Sequence, residues 1–231
     1  MPRRIAIVED DPAIRQNYRD ALSSQGYEVA IFEDRKRALE GLKTRLPDLA
    51  LLDIGLGADV DGGFALCREL RSLSPTLPII FLTARDSDFD VVSGLRMGAD
   101  DYVTKDVSLP HLFARIGALF RRIEAASDSK VESEVLVRGG LTLDVARVVA
   151  TWKGQRADLT LTEFWLVHAM AKHPGHVKDR ESLMNAANML VDDSTITSHI
   201  KRVRRKFEAM DPKFDRIETV YGMGYRWNPE S

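Results

Sequence analysis

Charged and hydroxyl residues stand directly after four short apolar runs in the first half of this 231-residue chain. The positions are Glu9, Asp10 and Asp11, then Asp53, then Thr83 with Ala84, and finally Lys105. Carboxylates packed together repel one another and need a counter-charge, and Mg²⁺, which prefers hard oxygen ligands, is the natural one. The pattern therefore predicts a magnesium site where these positions meet.

A lysine and a hydroxyl opposite such a carboxylate cluster supply what a transferring phosphoryl group requires. We expect Lys105 to neutralise charge on one phosphoryl oxygen and Thr83 to donate a hydrogen bond to another. Asp53 is then the expected nucleophile. A single strand-terminal aspartate or lysine is more often a helix cap or a solvated charge, so the prediction depends on all four positions together.

The apolar runs have the length and composition of buried strands. They cover residues 5–8, 29–32, 49–52, 79–82 and 102–104, and segments with apolar residues at helical spacing separate them. Strands that alternate with helices form a parallel sheet, and ligands of such folds bind beyond the carboxyl ends of the strands. We predict a doubly wound α/β domain with a five-stranded parallel sheet over residues 1–122.

The pattern changes after residue 122. Residues 123–134 are rich in Ser, Glu, Asp and Lys and lack large apolar residues in their middle, which is typical of a flexible linker. Residues 135–231 begin with short strand-like runs, continue with helices that start near Thr162, Arg180 and Ser194, and end in a glycine-rich hairpin. This pattern predicts a second domain.

Five of the six residues 201–206 are Lys or Arg, within a segment that has helical periodicity. Its apolar residues share one face: Ile196, Ile200, Val203 and Phe207. We expect contacts with the base edges of DNA from Thr197, Ser198 and Arg202, and contacts with phosphates from Thr195, His199, Lys201 and Arg204. Taken alone, a solvated charged face is the more common explanation of such a cluster.

The motifs of both halves resemble those of response regulators of the OmpR/PhoB family. IVEDD, LLD, LTA and DDYVTK are similar to the receiver domain, over residues 3–122. LTLTEFWLVHAMAKHPGHVKDRESLM and IETVYGMGYRW are similar to the winged-helix effector domain, over residues 135–230. The resemblance implies a flavodoxin-like receiver followed by an α+β winged helix-turn-helix domain. The implied function is phosphorylation-dependent DNA binding in the transcription regulation of a two-component system, not enzymatic turnover.

The resemblance also implies a role for each residue of the receiver site. Asp53 accepts a phosphoryl group from a sensor histidine kinase. The implied ligands of the Mg²⁺ cofactor are Asp10, Asp53, the carbonyl of Gly55 and, mainly through water, Glu9. Thr83, Ala84 and Lys105 bind the phosphoryl oxygens, and Tyr102 is an aromatic switch that follows the movement of Thr83.

The implied partners are double-stranded DNA, a second copy of the chain after phosphorylation, and RNA polymerase. The homodimer interface would use the fourth helix, fifth strand and fifth helix of the receiver, with Leu95, Asp101, Leu112 and Arg115. The C-terminal hairpin would form a DNA-binding wing. Its tip has Tyr221, a predicted DNA contact, where the family often has an arginine that enters the minor groove. Recognition of the minor groove by a positive charge is therefore not expected there. Tyr225 is either a phosphate contact or part of the hairpin packing.

Two segments depart from the family pattern. Asp106 follows Lys105 where receivers usually have a proline in a cis bond that helps to aim the lysine, so the aim of Lys105 is left open. Residues 55–63 form a longer and more acidic loop than usual. This loop leaves the affinity for Mg²⁺ and the lifetime of the phosphorylated state open as well.

Composition narrows the class of protein. The net charge of −2, an apolar fraction of 44% and a charged fraction of 29% are those of an ordinary globular protein. The single cysteine, Cys67, and the absence of a signal-like or membrane-spanning segment lead us to expect a cytoplasmic protein without a membrane partner. Two alternatives remain: an aspartyl-phosphate enzyme that acts on small phosphoesters, and a receiver whose second domain binds protein. Turnover of a phosphoester distinguishes the first, and intact partner binding after Arg202→Ala distinguishes the second.

Overall fold

The structure is a computed structural model that describes residues 2–85, 87, 90, 93–95, 97–127, 135–187 and 193–229. The chain divides into two compact units, Met1–Ile116 and Gly117–Ser231. Within the described ranges, no helix carries an apolar stretch long enough to cross a bilayer. The domain boundaries predicted from the sequence, at residues 122 and 135, stay a prediction.

The first unit contains a five-stranded parallel sheet with the order β2-β1-β3-β4-β5. Its strands are β1 (Arg4–Val8), β2 (Glu28–Phe32), β3 (Leu49–Leu52), β4 (Ile79–Thr83) and β5 (Asp101–Thr104). All residues of β3 and β4 are buried, as expected for central strands covered on both faces. The strand order confirms the predicted doubly wound fold, and it reverses between β1 and β3, where such folds bind their ligands.

Three helices of this unit have defined bounds: α1 (Pro12–Ser24), α2 (Arg35–Thr44) and α3 (Gly62–Leu73). A fourth helix, α4 (Leu109–Ser127), begins in this unit and continues past its end at Ile116. Residues 93–95, between β4 and β5, are helical as well. The start of α3 requires a glycine, because a Cβ atom at Gly63 would lie 1.9 Å from the carbonyl oxygen of Asp53. The amide of Gly63 also donates to the carbonyl of Ile54, at 2.9 Å. This close approach fixes α3 against the end of β3.

Helix α4 continues further than the sequence predicted. It ends at Ser127, so residues 123–127 of the predicted linker are helical. Glu124, Ala125 and Ala126 favour a helix by intrinsic propensity, which outweighs the polar composition that suggested a linker. Residues 128–134 of the predicted linker lie outside the described residues.

The second unit combines a four-stranded antiparallel sheet, three helices and a hairpin. The sheet consists of β6 (Val135–Arg138), β7 (Leu141–Asp144), β8 (Val149–Trp152) and β9 (Gln155–Ala157). The helices are α5 (Leu161–Ala171), α6 (Arg180–Ala186) and α7 (Asp193–Met210), and the hairpin pairs β10 (Ile217–Val220) with β11 (Gly224–Trp227). The sequence did not predict β9, which is short and polar at its first two residues. The remaining elements follow the predicted order.

Aromatic side chains form the centre of the second unit. Phe207 of α7 stacks on Phe214 with 4.7 Å between ring centroids, and Trp152 of β8 meets Phe214 edge to face at 5.1 Å. Trp227 of β11 lies 6.4 Å from Trp152 in the same cluster. Aromatic pairs at these separations add to the stability from burial. The cluster therefore joins the sheet, α7 and the hairpin into one core.

Candidate functional site

Carboxylates from two neighbouring strand ends meet in the first unit. Strand β1 pairs with β3 so that Val8 lies opposite Leu52, which brings the following residues, Glu9 and Asp53, side by side. Ligand oxygens of Glu9, Asp10 and Asp53 all lie within 4.8 Å of one another. Glu9 and Asp53 are buried, whereas Asp10 is exposed. The structure thus brings together the three carboxylates that the sequence singled out, in a set of hard oxygen donors that suits Mg²⁺.

Asp11 has a different role from its two neighbours. Its Oδ1 accepts hydrogen bonds from the amides of Ala13, at 2.8 Å, and Ile14, at 3.0 Å. These bonds cap the N-terminus of α1, and Pro12 in the first turn suits the same helix start. The hydrogen bond from Ile14, together with that from Ala13, lowers the pKa of the Asp11 carboxyl. Asp11 is therefore a helix cap rather than part of the carboxylate cluster.

Lys105 points into the cluster. Its Nζ lies 2.7 Å from Oδ2 of Asp53 and 2.7 Å from Oε2 of Glu9. Asp106 in place of the usual proline does not turn the lysine away, which answers the question that the sequence left open. The amide of Lys105 donates to the carbonyl of Thr83 at 2.9 Å. This backbone hydrogen bond joins the ends of β4 and β5 and fixes the position from which the Lys105 side chain extends.

Burial and pairing set the protonation of this lysine and of Glu9. Burial lowers the pKa of Lys105, but its hydrogen bonds to Asp53 and Glu9 outweigh that effect, so its pKa is raised and the amine stays charged. Burial raises the pKa of Glu9, and the hydrogen bond from Lys105 offsets this rise only in part. The cluster therefore holds one fixed positive charge against its carboxylates.

The loop after β3 is ordered by its own backbone and by Asp10. Leu56 and Asp59 exchange two backbone hydrogen bonds, at 3.0 and 3.2 Å, and Leu56 is buried in the core. The amide of Gly57, whose φ of 64° suits glycine, donates to Oδ2 of Asp10 at 3.0 Å. Gly55 lies at the start of this loop, and its role as a metal ligand stays a prediction.

The end of β4 connects the predicted switch residues. Thr83 is buried, and its Oγ1 accepts a weak hydrogen bond of 3.4 Å from the amide of Arg85, whereas Ala84 is exposed. The hydroxyl of Tyr102 donates to the carbonyl of Arg85 at 2.9 Å. The Arg85 side chain in turn donates to the carbonyl of Val60, at 2.7 Å. Arg85 thus links Tyr102 to the loop after β3, a role for which the sequence carried no signal.

Two of the four predicted dimer contacts need correction. Leu95 and Leu112 are only 1% and 0% exposed, because both side chains fill the interior of the chain itself. Asp101 and Arg115 pair with each other within one chain, with 2.8 Å between Oδ2 and Nη1. The two leucines therefore offer no surface to a second copy, and the charged pair is already satisfied internally.

Helix α7 buries its apolar face as the sequence predicted. Ile196, Ile200, Val203 and Phe207 are all at most 1% exposed. A stripe of polar and basic side chains lies on the outer face, which we call the outer stripe; it consists of Thr197, Ser198, Lys201 and Arg205, of which Ser198 is partly exposed. Arg205 was not among the predicted DNA contacts, although helical spacing of four residues from Lys201 could have identified it.

Arg202 does not belong to the outer stripe, which corrects the prediction that it reads base edges. Its Nε lies 2.5 Å from Oε1 of Glu163, and its Nη2 contacts Nδ1 of His199 at 3.0 Å. Glu163 is completely buried, and Nζ of Lys206 lies 2.6 Å from its other oxygen. A carboxylate at such depth is costly unless it is paired, so it draws Arg202 inward.

Glu163 is held in place by the start of α5. It forms a capping box with Thr160, whose amide donates to Oε2 of Glu163 at 2.8 Å. Burial alone would raise the pKa of Glu163, but the charges of Arg202 and Lys206 and the hydrogen bonds outweigh burial and lower its pKa to about 2. The basic cluster of the sequence therefore serves partly to neutralise this one buried acid.

Three further predicted phosphate contacts also lie elsewhere. Thr195 and His199 are buried at 4% and 0% exposure, because they stand on the inner side of α7. Arg204 is engaged with the hairpin, where Nη2 donates to the carbonyl of Ile217 and to Oγ1 of Thr219, both at 2.8 Å. These side chains support α7 rather than face a ligand.

The hairpin turns at residues 221–223, between β10 and β11. Tyr221 at its tip is 92% exposed, whereas Tyr225 is only 3% exposed. The Tyr225 hydroxyl lies 3.2 Å from Oγ1 of Thr197, so of the two alternatives for Tyr225 the structure supports hairpin packing.

Comparison with known proteins assigns a family model to each unit. Residues 5–117 match the model of the response regulator receiver domain. Residues 154–227 match the model of the C-terminal domain of transcriptional regulatory proteins.

Relatives of known name match nearly the whole chain. The transcriptional regulatory protein BaeR of Escherichia coli O6:H1 is 37% identical over 99% of this chain and 94% of its own length. The phosphate regulon transcriptional regulatory protein PhoB of Klebsiella pneumoniae is 38% identical over 99% of both chains. The crystal structure of DrrB, an OmpR/PhoB homologue from Thermotoga maritima, is 29% identical with a TM-score of 0.52, covering 99% of this chain and all of that one.

Proposed function

The chain belongs to the OmpR/PhoB family of response regulators, and from that membership we propose that Asp53 accepts the phosphoryl group which controls DNA binding through α7. The family consists of DNA-binding transcriptional regulators of two-component systems, not of enzymes, and this chain has the same two domains. The observation that carries the proposal is the 2.7 Å contact between Asp53 and Lys105 inside a cluster of three carboxylates.

The geometry supports Asp53 as the nucleophile. Its Oδ1 accepts a hydrogen bond of 2.6 Å from the amide of Ile54, while Oδ2 faces the amine of Lys105. An Asp53 oxygen forms the new O–P bond as the P–N bond to the histidine of a sensor kinase breaks, and the released imidazole takes up a proton. Lys105 then neutralises charge on the transferred group, and the Thr83 hydroxyl donates to a second oxygen.

Glu9, Asp10 and Asp53 are the residues that would hold Mg²⁺, together with the carbonyl of Gly55. When bound, the ion supplies charge neutralisation that lets a phosphoryl group approach a carboxylate. The chain itself contributes the oxygen donors, two of them buried and one exposed, together with the fixed amine of Lys105. Ala84, the exposed residue after Thr83, would offer its backbone amide to a phosphoryl oxygen.

DNA recognition in this proposal uses the outer stripe of α7 and not the whole basic cluster. Thr197 and Ser198 are short side chains that suit base edges in the major groove. Lys201 and Arg205 are exposed cations that suit phosphates and set the register of the helix. Arg202 and Arg204 act indirectly, because they hold α7 against Glu163 and the hairpin.

We also propose that phosphorylation produces a homodimer that binds paired sites on DNA, with RNA polymerase as a further partner. Two linked modules convert weak single-site binding into useful affinity. Asp101 and Arg115 are the remaining candidates on the dimer face. In a dimer, each would add an ion pair with the partner subunit to the ion pair within its own chain, or replace the latter by the former. Light scattering with and without acetyl phosphate tests this step, and an unchanged mass contradicts it.

The phosphoacceptor assignment is tested by covalent labelling of the full chain. Acetyl phosphate with Mg²⁺ should label the wild-type chain in a hydroxylamine-sensitive form, and Asp53→Asn should abolish that label. Asp59→Asn is the matched control, because Asp59 is an exposed carboxylate in the loop after β3 and should leave the label intact. Label that persists in Asp53→Asn would overturn the assignment.

The DNA-binding assignment is tested by the salt dependence of binding to a random-sequence duplex. Lys201→Ala and Arg205→Ala should each weaken binding and reduce the slope of log K against log salt by about 1. Lys172→Ala is the control, because Lys172 is an exposed cation after α5. Wild-type slopes in both α7 variants would contradict the assignment of α7.

A further inference from the structure

Thr197 and Tyr225 form a contact that joins the outer stripe of α7 to the hairpin. The Tyr225 hydroxyl lies 3.2 Å from Oγ1 of Thr197, and either group can be the donor. Thr197 is exposed, whereas Tyr225 is only 3% exposed. A buried phenol hydroxyl requires a hydrogen-bond partner, and Thr197 supplies one from the helix face that we assign to DNA. The contact therefore affects how one residue of that face is oriented.

The position of Tyr225 is fixed by its backbone. Tyr225 and Lys178 exchange two backbone hydrogen bonds, at 2.8 and 2.9 Å, and Tyr225 lies opposite Thr219 in the pairing of β10 with β11. Gly224 permits the approach to Lys178, because a Cβ atom at Gly224 would lie 2.1 Å from the carbonyl oxygen of Lys178. The tyrosine side chain is thus presented to α7 from a backbone that is paired on both sides.

The ring of Tyr225 is held against α7 by Arg204. The guanidinium carbon of Arg204 lies 5.9 Å from the centroid of the ring, a separation that allows cation–π attraction. Arg204 is itself anchored, because its Nε and Nη2 donate to the carbonyl of Ile217 at 3.0 and 2.8 Å. The ring and the hydroxyl of Tyr225 therefore contact the same helix at two positions about two turns apart, which gives the side chain a defined direction.

The contact favours one rotamer of Thr197. Threonine in a helix divides between two χ1 rotamers, because its hydroxyl can also bond a backbone carbonyl of the preceding turn. A hydroxyl held at Tyr225 favours the rotamer that turns Oγ1 towards the hairpin. The γ-methyl group then takes a different staggered position, away from the covered tyrosine, and it is the part of this exposed side chain that faces a ligand.

We propose that Tyr225 positions Thr197 so that the γ-methyl group of Thr197 contacts the C5-methyl group of a thymine in the major groove. The inference rests on the proposed DNA-binding function and deepens it, because it names the base that one member of the outer stripe recognises. Thymine offers a methyl group in the major groove, and threonine methyl groups are among its apolar contacts. A methyl group that is already fixed in one rotamer loses less freedom on binding. Tyr225 is thus a positioning residue that acts through Thr197.

The experiment removes the thymine methyl group directly. The full chain, treated with acetyl phosphate and Mg²⁺, first selects its preferred duplex from a random-sequence pool. Each thymine of that duplex is then replaced singly by uracil, which pairs in the same way but lacks the C5-methyl group. For the wild-type chain, one such replacement in each half-site should weaken binding by roughly three- to tenfold, the size expected for the loss of one or two buried methyl contacts.

Variants of the two residues separate the methyl group from the hydroxyl. Thr197→Val carries methyl groups at both branch positions, so the preference for thymine over uracil should persist. Thr197→Ser keeps the hydroxyl and lacks the methyl group, so the preference should disappear. Tyr225→Phe removes only a hydroxyl, and the preference should fall to about twofold or less with an unchanged salt slope, because the rotamer is released and no charge changes. Adding Tyr225→Phe to Thr197→Val should change the preference no further.

Tyr27→Phe is the matched control, because it removes a tyrosine hydroxyl from the first unit and should keep the full preference. A wild-type chain indifferent to uracil, a preference that persists in Thr197→Ser, or a wild-type preference in Tyr225→Phe would each overturn the inference. Should Tyr225→Phe fail to fold, the two variants of Thr197 remain. Loss of the preference in Thr197→Ser alone supports the inference, and loss in both variants overturns it.

Failure of this inference is distinguishable from failure of the proposed function. If Lys201→Ala weakens binding while uracil has no effect, the inference is overturned and α7 remains the DNA-binding helix. If Lys201→Ala and Arg205→Ala both bind as the wild-type chain does, the assignment of α7 is overturned and the inference with it.

Discussion

The guanidinium of Arg202 and the carboxylate of Glu163 form an ion pair of 2.5 Å in the interior of the second unit, between residues that are 39 positions apart in the chain. The pair joins α7 to the start of α5. It therefore stabilises the DNA-binding unit, and this role can be separated by experiment from contact with DNA.

Arg202→Ala should destabilise the second unit by about 3 kcal/mol, because removal of one partner leaves a buried carboxylate with Lys206 alone. Urea unfolding followed by tryptophan fluorescence reports this unit selectively, since all three tryptophans of the chain, at 152, 165 and 227, lie within it. Lys201→Ala is the matched control and should change stability by less than about 0.5 kcal/mol. Combining Arg202→Met with Glu163→Gln should recover part of the loss. A stable Arg202→Ala that fails only to bind DNA would restore the original assignment of Arg202.

Stability of the second unit should fall as the pH falls from about 4.5 towards about 2. The pKa of Glu163 is about 2 in the folded chain, below its ordinary value of 4.5. The stability that this ionised carboxylate contributes is therefore complete above about pH 4.5 and amounts to about 3 kcal/mol at most. It is lost progressively as the pH falls towards the folded pKa, because the carboxyl is protonated in the unfolded chain before it is protonated in the folded chain. Urea midpoints at a series of pH values should show this slope in wild type. The profile of Glu163→Gln should be flatter, and identical slopes would contradict the prediction.

Lys105→Met should tighten Mg²⁺ binding by roughly tenfold or more, because the variant lacks the cation that now balances Glu9 and Asp53 at 2.7 Å. Calorimetric titration with magnesium chloride measures the affinity directly. Lys43→Met is the control, since Lys43 is exposed near the end of α2. Equal affinities of Lys105→Met and wild type would show that the amine is not the counter-charge of the carboxylate cluster.

Asp100→Asn should destabilise the first unit by about 2 to 4 kcal/mol, because it removes a buried charge that neutralises Arg71. Oδ2 of Asp100 lies 2.7 Å from Nη2 of Arg71 and accepts a hydrogen bond of 3.1 Å from the amide of Ile79. Scanning calorimetry should show an earlier transition for the first unit. Tryptophan fluorescence, which reports the second unit, should be unchanged. Loss of both signals together would mean that the two units do not unfold independently.

The sequence predicted the fold and the carboxylate cluster because both depend on local pattern. A buried parallel strand is recognisable from its own apolar run, and the residue after it lies at the carboxyl edge of the sheet whatever the rest of the chain does. Glu9, Asp53 and Lys105 could therefore be placed together from the order of residues alone. Helix α7 could be identified in the same way from the spacing of its apolar residues.

Only the tertiary structure decided which of several similar side chains reach solvent. Lys201 and Arg202 are neighbours in one basic run, yet Lys201 is exposed and Arg202 is drawn to a glutamate from another helix. Leu95 and Leu112 are apolar side chains of the kind found at protein interfaces, but they are buried within their own chain. Periodicity fixes the direction of a side chain relative to its helix, whereas burial and charge pairing depend on which distant residues pack against that helix, and a single local pattern does not contain that information.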